Sequence, residues 1–304
     1  VRRGDRVGIF MNKSLDSVVA MYGVMEAGGA YVPLHPFAPA ARGAFVIRDC
    51  GIRHLITTDF KLDQSALLEE EVTGLACLVG SDGRDGFETI SWDEVRGAAT
   101  DATPDIELTE QDLSYILYTS GSTGTPKGIM HTHRSALSFA EWAVDAYDLT
   151  PADRISNHAP LHFDLSTFDF FAAARAGATT VIVPEAITKL PADLGRLMQR
   201  EKLTVWYSVP FALMQLMERG NLDRIDVSTL RWILFAGEVF PIKHLRRLLE
   251  MLPHVRFSNL YGPTETNVCT AYHLPAVLSE GDDAIPIGPP CSNVESLIVD
   301  EDNQ

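Results

Sequence analysis

The sequence is poor in cysteine and in positive charge, and it contains no long apolar run. Its four cysteines among 304 residues include no C-x-x-C pair, so the sequence indicates neither a zinc site nor a disulfide framework. No apolar run approaches the roughly 20 residues of a membrane helix. With 25 basic residues against 41 acidic ones, the net charge of −16 disfavours binding to a phosphate backbone. We therefore expect a cytoplasmic protein without a nucleic-acid or membrane partner.

The apolar residues that are present suffice for about two hydrophobic cores. They make up 46% of the chain, and strand-like and helix-like segments alternate almost throughout. This alternation predicts an α/β fold with largely parallel sheets. Residues 80–104 are predicted as loops with one short strand. Strands are predicted at residues 6–10, 31–34, 54–57, 113–117, 179–183, 205–208, 230–235, 255–258 and 294–299, and helices at 15–27, 39–49, 135–147, 165–176, 191–201, 210–219 and 241–252.

A segment rich in glycine and hydroxyl groups follows the predicted strand at 113–117. Residues 118–128 read YTSGSTGTPKG, in which glycines permit positive φ and let backbone N–H groups surround a polyphosphate. A P-loop places Ser or Thr directly after its lysine, whereas Gly128 follows Lys127, so that motif is excluded. The alternative is a polar surface loop. The pattern predicts a phosphate-binding loop made of Thr119, Ser120, Gly121, Ser122, Thr123, Gly124 and Lys127.

Asp164 lies in a mostly apolar segment, residues 161–168, which reads LHFDLSTF. An unpaired carboxylate in such surroundings is costly. From the residues alone, two roles remain open. Asp164 either caps the helix that follows, a contact worth about 1 kcal/mol, or pairs with the ammonium group of a substrate.

The phosphate-loop segment resembles that of adenylate-forming enzymes, which include acyl-CoA synthetases, luciferases and the adenylation domains of nonribosomal peptide synthesis. Other family motifs occur in the family's order: MEAGGAYVP at 25–33, FDLS at 163–166, FAGE at 235–238 and NLYGPTE at 259–265. The resemblance covers essentially the whole chain.

This resemblance also implies a domain organisation. Two similar layered sheet-and-helix subdomains are expected, one at residues 15–145 and one at 1–14 together with 150–272. The start of a small β-barrel is expected at 273–304. The chain is expected to be truncated at both ends, so that a ribose-binding aspartate and a C-terminal lid with a catalytic lysine lie beyond Gln304.

The resemblance implies ATP and Mg²⁺ as cofactors. Adenylate formation develops charge at the α-phosphate, which an enzyme stabilises electrostatically, and Mg²⁺ needs a carboxylate ligand. Glu265 is expected to bind Mg²⁺ and to act in catalysis with Lys127 and Thr264; the alternative for Glu265 is a solvated glutamate in a turn. The nucleotide-binding residues expected in this half of the chain are Gly237, Glu238, Asn259, Tyr261, Gly262 and Thr264.

Under the resemblance, Asp164 indicates the class of substrate. Acyl-CoA synthetases act on acids that have no amine and generally lack this aspartate, so its presence implies an α-amino acid. The family's side-chain pocket maps onto Leu165, Phe168, Tyr207, Leu234, Ala236, Leu260, Val268 and Cys269. No charged side chain is among them, so a basic, acidic or amide side chain of the substrate would be left unsatisfied.

The residues alone indicate only a small apolar amino acid. L-proline as the substrate, and its transfer to the phosphopantetheine thiol of a carrier protein, rest on a resemblance to stand-alone L-proline-activating enzymes. The alternatives are an acyl- or aryl-CoA ligase and a nucleotide-binding fragment without turnover.

Overall fold

The structure, a computed structural model, describes residues 1–99, 106–119, 124–279, 281, 283–292 and 294–300. The chain divides into two compact units, Val1–Ala136 and Leu137–Gln304. Each unit contains a mostly parallel sheet with helices, so the predicted α/β class is confirmed. None of the helices in the described parts of the chain combines the length and apolarity that a membrane span requires.

The first unit is built on a seven-stranded sheet with the order β5-β4-β3-β1-β2-β6-β7 among the described residues. All neighbouring strands are parallel except β6 and β7. The strands are β1 (Arg6–Ile9), β2 (Ala30–Pro33), β3 (His54–Ile56), β4 (Cys77–Val79), β5 (Glu88–Ile90), β6 (Leu113–Thr119) and β7 (Lys127–Thr132). Its helices are α1 (Leu15–Glu26), α2 (Ala40–Asp49), α3 (Asp59–Asp63) and α4 (Trp92–Gly97).

The position of β1 corrects the predicted domain organisation. Val7 of β1 pairs with Tyr31 of β2 and with His54 of β3, so residues 1–14 group with the first unit and not with residues 150–272. Gly8 suits this central position, because a Cβ there would meet Leu55 Cδ1 at 2.7 Å. A short strand that is apolar along most of its length is typical of the buried centre of a parallel sheet.

The second unit contains a six-stranded sheet with the order β13-β12-β11-β10-β8-β9 among the described residues. Only β12 and β13 are antiparallel. The strands are β8 (Arg154–Asn157), β9 (Thr179–Ile182), β10 (Val205–Ser208), β11 (Trp232–Phe235), β12 (Arg256–Tyr261) and β13 (Thr270–His273). The helices are α5 (His133–Tyr147), which begins in the first unit, α6 (Leu165–Thr167), α7 (Ala173–Ala176), α8 (Pro191–Arg200), α9 (Pro210–Arg219) and α10 (Ile242–Met251).

Both faces of this second sheet are buried. Along β10, Trp206 packs with residues of α8, α9 and α10, while Val205 and Tyr207 pack into a second cluster on the other face. This follows from the two-residue period of a strand, which sends successive side chains to opposite faces. With both faces covered, a ligand reaches this sheet at the ends of its strands.

The C-terminal part of the chain departs from the predictions. Residues 294–299 form no strand in the structure, and Leu297 and Ile298 are exposed. A strand needs a partner, and no described strand lies beside this segment. Beyond β13, the described residues contribute one isolated bridge, between Thr270 and Pro290. A β-barrel beginning at 273–304 therefore stays a prediction.

Candidate active site

The predicted site residues of the second unit cluster at the carboxyl ends of its parallel strands. Asp164 lies in the segment after β8, Tyr207 lies near the end of β10, and Gly237 and Glu265 follow β11 and β12. The chain runs from β8 outward to β9, and β10 then lies on the opposite side of β8. Ligands of open α/β sheets bind at such a reversal of strand order. The structure thus places Asp164 in the segment after β8 and Tyr207 in β10, and these two strands flank this point.

The predicted side-chain pocket is largely one buried cluster. Phe168 and Tyr207 pack edge to face, with their ring centroids 5.4 Å apart. Leu165 packs against the cluster, and Cys269 is half-buried, with its thiol donating to the Tyr261 carbonyl oxygen at 3.4 Å. The apolar cluster contains six of the eight predicted pocket residues: Phe168, Tyr207, Leu234, Ala236, Leu260 and Val268.

Asp164 does not cap the helix that follows it. Its backbone is already helical, with φ −60° and ψ −28°, and its carboxylate accepts no capping hydrogen bond from the helix that the structure describes. The charge of Asp164 instead affects the pKa of Tyr207, a residue of the predicted pocket. Burial raises the pKa of Tyr207 well above its ordinary value, and the carboxylates of Asp164 and Asp169 raise this pKa further. The capping interpretation is therefore excluded, and the pairing of Asp164 with an ammonium stays a prediction.

Two further residues connect the strand ends, and the sequence analysis did not identify them. The Thr167 hydroxyl donates to the Asp164 carbonyl oxygen at 2.6 Å and accepts from Asn267 Nδ2 at 2.7 Å. Asn267 is buried and has φ +61°, a conformation that Asn tolerates better than most residues. This link ties the segment after β8 to the turn after β12. Its sequence signal was the Asn directly after the GPTET turn.

The helix that carries Phe168, a residue of the predicted pocket, is irregular. Residues Phe168–Ala172 are π-helical and lie between α6 and α7. The Asp169 carboxylate within this segment is fully buried and accepts from Asn157 Nδ2 at 2.9 Å. Single π-helical turns occur frequently at functional sites, because they reorient the side chains that they carry.

The residues expected around adenine differ in exposure. Tyr261 ends β12 and is 52% exposed, so its ring is not part of the core and is available for stacking. Asn259 is nearly buried and donates from Nδ2 to the Pro286 carbonyl oxygen at 2.9 Å. Glu238 is exposed, and its Oε2 accepts from the backbone N–H of Phe211 at 3.3 Å, which joins the end of β11 to the start of α9. Their contacts with a base stay predictions.

Two glycines of this region serve different purposes. Gly237 has φ +89°, in the left-handed region that favours glycine, while a Cβ there would have room, 3.7 Å from Val209 Cγ1. At Gly262 the opposite holds, because a Cβ would lie 1.8 Å from the Asn267 carbonyl oxygen. Gly262 is thus required by a close approach of two backbone segments within the turn that carries Thr264 and Glu265.

We expect Gly262→Ala to displace this turn and to raise the KM for ATP at least about tenfold, which corresponds to ~1.4 kcal/mol. Steady-state kinetics with varied ATP measure the effect. Gly281→Ala is the matched control, since a Cβ at Gly281 meets no described atom within 4 Å. An unchanged KM for ATP in Gly262→Ala would contradict the role of this close approach.

The described residues of the predicted phosphate loop lie in the first unit. Thr119 ends β6 and is paired with Lys127, which begins β7, so the two strands form a hairpin around the loop. Gly124 has φ +83°, as expected for a glycine in a tight loop. Lys127 is exposed. The predicted phosphate ligands Ser120, Gly121, Ser122 and Thr123 lie outside the described residues.

The residues present fit Mg²⁺ only together with a bound phosphate. Among the described residues, no group of three or more His, Cys, Asp or Glu side chains is arranged to hold a metal. Glu265 is exposed, and the half-buried Thr264 precedes it. Proteins usually bind Mg²⁺ through one or two carboxylates and the phosphates of a substrate, so a single carboxylate at this position is sufficient.

The chain is similar over nearly its whole length to known proteins. The family model described as AMP-binding enzyme matches residues 1–304. An L-proline–[L-prolyl-carrier protein] ligase of Pseudomonas fluorescens is 40% identical over 288 residues, which are 95% of this chain and 57% of that protein. The protein of the same name from Streptomyces coelicolor is 38% identical over 311 residues, which are 99% of this chain and 58% of that protein. The chain thus spans somewhat more than half the length of these relatives.

A solved structure shares the fold. The nonribosomal peptide synthetase FmoA3 in an AMPPNP-bound form matches with a TM-score of 0.84 and 29% sequence identity. The match covers 99% of this chain and 30% of that chain. The fold of nearly the whole chain is therefore one that occurs within a nonribosomal peptide synthetase.

Proposed function

Because the chain belongs to the AMP-binding enzyme family, we propose that it takes part in the ATP-dependent activation of L-proline. A carboxylate oxygen of proline attacks the α-phosphorus of ATP, pyrophosphate leaves, and prolyl-AMP forms. The phosphopantetheine thiol of a carrier protein then attacks the prolyl carbonyl, and AMP leaves. The two relatives at 40% and 38% identity are named for this substrate and this kind of partner, which supports the proposal.

The observation that carries the proposal is the position of Asp164. Its carboxylate raises the pKa of Tyr207, which lies at the point where strand order reverses. Tyr207 belongs to a cluster of otherwise apolar side chains. An ammonium group complements the carboxylate, and an apolar ring complements the cluster. The secondary ammonium of proline has two N–H donors, one for Asp164 and one for a backbone carbonyl near Leu260 or Gly262. An acyl or aryl acid without an amine offers no group that pairs with Asp164.

In the second unit, the nucleotide is proposed to bind at the ends of β11 and β12. Tyr261 would stack on adenine, since its ring is exposed at the end of β12. Lys127 and the hydroxyls of Thr119 and Thr264 would donate to phosphate oxygens. Glu265 would hold Mg²⁺, which when bound neutralises phosphate charge as pyrophosphate departs. These residues stabilise charge and do not attack the substrate, as adenylate formation requires.

We expect L-proline to give the fastest amino-acid-dependent exchange of pyrophosphate into ATP among the proteinogenic amino acids. An apolar pocket distinguishes one methylene by only about 1–3 kcal/mol. Azetidine-2-carboxylate and pipecolate should therefore react about 10- to 200-fold more slowly but measurably. Lysine, glutamate and tryptophan should give no exchange, because the pocket offers neither a charged partner nor sufficient volume.

Two outcomes of this panel would contradict the proposal in different ways. Faster exchange with alanine or valine would refute proline and leave amino-acid activation intact. Faster exchange with benzoate, which has no amine, would favour the aryl-CoA ligase alternative and refute the role of Asp164. Reactions without any added acid provide the baseline for all substrates.

A further inference from the structure

The side chain of Tyr118 connects the β6–β7 hairpin, which carries the predicted phosphate loop, to helix α2. This residue is the first of the YTSGSTGTPKG segment and the last but one of β6. Its hydroxyl donates to Asp49 Oδ2 at 2.6 Å, and Asp49 is the last residue of α2. The Tyr118 ring also packs edge to face on Phe45 of α2, with the centroids 6.4 Å apart.

Cys50, which directly follows the last residue of α2, makes a second contact with the Tyr118 hydroxyl. Its Sγ lies 3.2 Å from the Tyr118 hydroxyl oxygen. Since the single hydroxyl hydrogen is directed to Asp49, the thiol is the donor in this second contact. Burial raises the pKa of Cys50, so the thiol keeps the proton that it donates. The Tyr118 hydroxyl therefore donates once and accepts once.

Gly128 lets the Tyr118 ring take this position. The two residues are directly opposite each other in the β6–β7 ladder. A Cβ on Gly128 would lie 3.1 Å from Tyr118 Cζ and 3.2 Å from Cε2, so the ring lies across the glycine. A ring held over a cross-strand glycine fixes the pairing of the two strands at this point.

The next pair in the ladder is Thr119 with Lys127, the two described residues that frame the loop. A strand pair transmits a fixed register from one residue pair to the next, and a slip of one residue turns every side chain to the other face. The positions of the Thr119 hydroxyl and the Lys127 ammonium thus depend on the pair formed by Tyr118 and Gly128.

We propose that the hydrogen bond from Tyr118 to Asp49 positions Lys127 for the phosphates of ATP, which makes Tyr118 and Asp49 positioning residues of the nucleotide site. The inference rests on the proposed function for the identity of the ligand. Asp49 lies outside the loop, and the Tyr118 hydroxyl is directed to α2 and not to the proposed nucleotide.

The test is the affinity for AMPPNP, measured by calorimetry on Tyr118→Phe. This variant keeps the ring over Gly128 and removes only the hydroxyl. We expect its Kd for AMPPNP to rise roughly three- to tenfold, the range of one hydrogen bond. The KM for L-proline should stay within about twofold, because no proline contact is touched. Asp49→Ala should match Tyr118→Phe, Asp49→Asn should retain most of the affinity, and the double variant should be no worse than either single variant.

Arg3→Ala is the control for a general loss of stability. Arg3 Nε and Nη2 donate to the two Asp112 carboxylate oxygens, each at 2.8 Å, just before β6 begins. This variant loosens the same strand at its opposite end and should leave the Kd for AMPPNP unchanged. An unchanged Kd in Tyr118→Phe, or an equal rise in Arg3→Ala, would overturn the proposal. Because AMPPNP binding needs no amino acid, the test remains valid if proline exchange fails and the proposed function is wrong.

Discussion

Replacing Asp164 with alanine is expected to abolish amino-acid activation and to leave ATP binding nearly intact. A hydrogen bond to a charged partner contributes about 1.5–3 kcal/mol, and removing one partner of a buried ion pair costs about 3–5 kcal/mol. With 1.4 kcal/mol for each factor of ten, the loss of activation amounts to about 100-fold or more. Pyrophosphate exchange with L-proline measures activation, and calorimetry with AMPPNP measures nucleotide binding.

Two variants distinguish the charge of Asp164 from its shape and from the charge of the protein. Asp164→Asn keeps the size of the side chain and should fail like Asp164→Ala, because a neutral amide pairs poorly with an ammonium. Asp145→Asn removes the same charge from an exposed position on α5 and should behave like the unchanged protein. An equal loss of affinity for AMPPNP and for L-proline in Asp164→Ala would refute the assignment.

The sequence predicts best those elements whose local signals agree with their tertiary surroundings. The bounds of β10 and α9 agree with the predicted 205–208 and 210–219. Every residue of β10 is buried, and its first three residues, Val205, Trp206 and Tyr207, are apolar or aromatic. Pro210 stands at the first position of the helix, where its missing N–H has no cost. In β10 and α9, the local sequence and the tertiary environment favour the same secondary structure.

Short or polar elements were missed because their stability comes from neighbours. β8 reads RISN, and its polar second half, Ser156 and Asn157, is buried only because strands lie on both sides of it. β7 begins with Lys127 and Gly128 and is stabilised by its pairing with β6. α4 carries a Ser91–Glu94 capping box, but it buries none of its residues and lacks an apolar stripe. Periodicity detects none of these elements.

The sequence proposes residues for the site but not the contacts between them. The sequence proposes the phosphate loop, Asp164 and Glu265 as site residues because each carries a chemical group in an informative local pattern, and their roles stay predictions. The link between Thr167 and Asn267 joins residues 100 positions apart, and no local pattern reveals such a pairing. The capping role of Asp164 remained open in the sequence for the same reason. It was excluded only by the helical backbone of Asp164 and by the uncapped start of α6.

Replacing Lys127 or Glu265 with alanine is expected to depress the rate of adenylation far more than the affinity for L-proline. Both residues are proposed to stabilise the charge that develops as pyrophosphate departs, so their loss mainly destabilises the transition state. Removal of one such electrostatic group costs about 100- to 1,000-fold in kcat, or ~2.7–4 kcal/mol. The KM for L-proline should change by no more than about threefold, since neither side chain belongs to the apolar cluster around Tyr207.

The two variants should differ in their response to magnesium, and this difference separates their roles. Glu265→Ala should need more Mg²⁺ to reach its reduced maximum rate, because the remaining oxygen ligands of the ion come from ATP and water. Lys127→Ala should keep the Mg²⁺ dependence of the unchanged protein, because lysine has no acceptor for a cation. Lys243→Ala and Glu250→Ala remove the same charges from exposed positions on α10 and serve as matched controls. A Glu265→Ala variant with an unchanged Mg²⁺ dependence would count decisively against this carboxylate as the metal ligand.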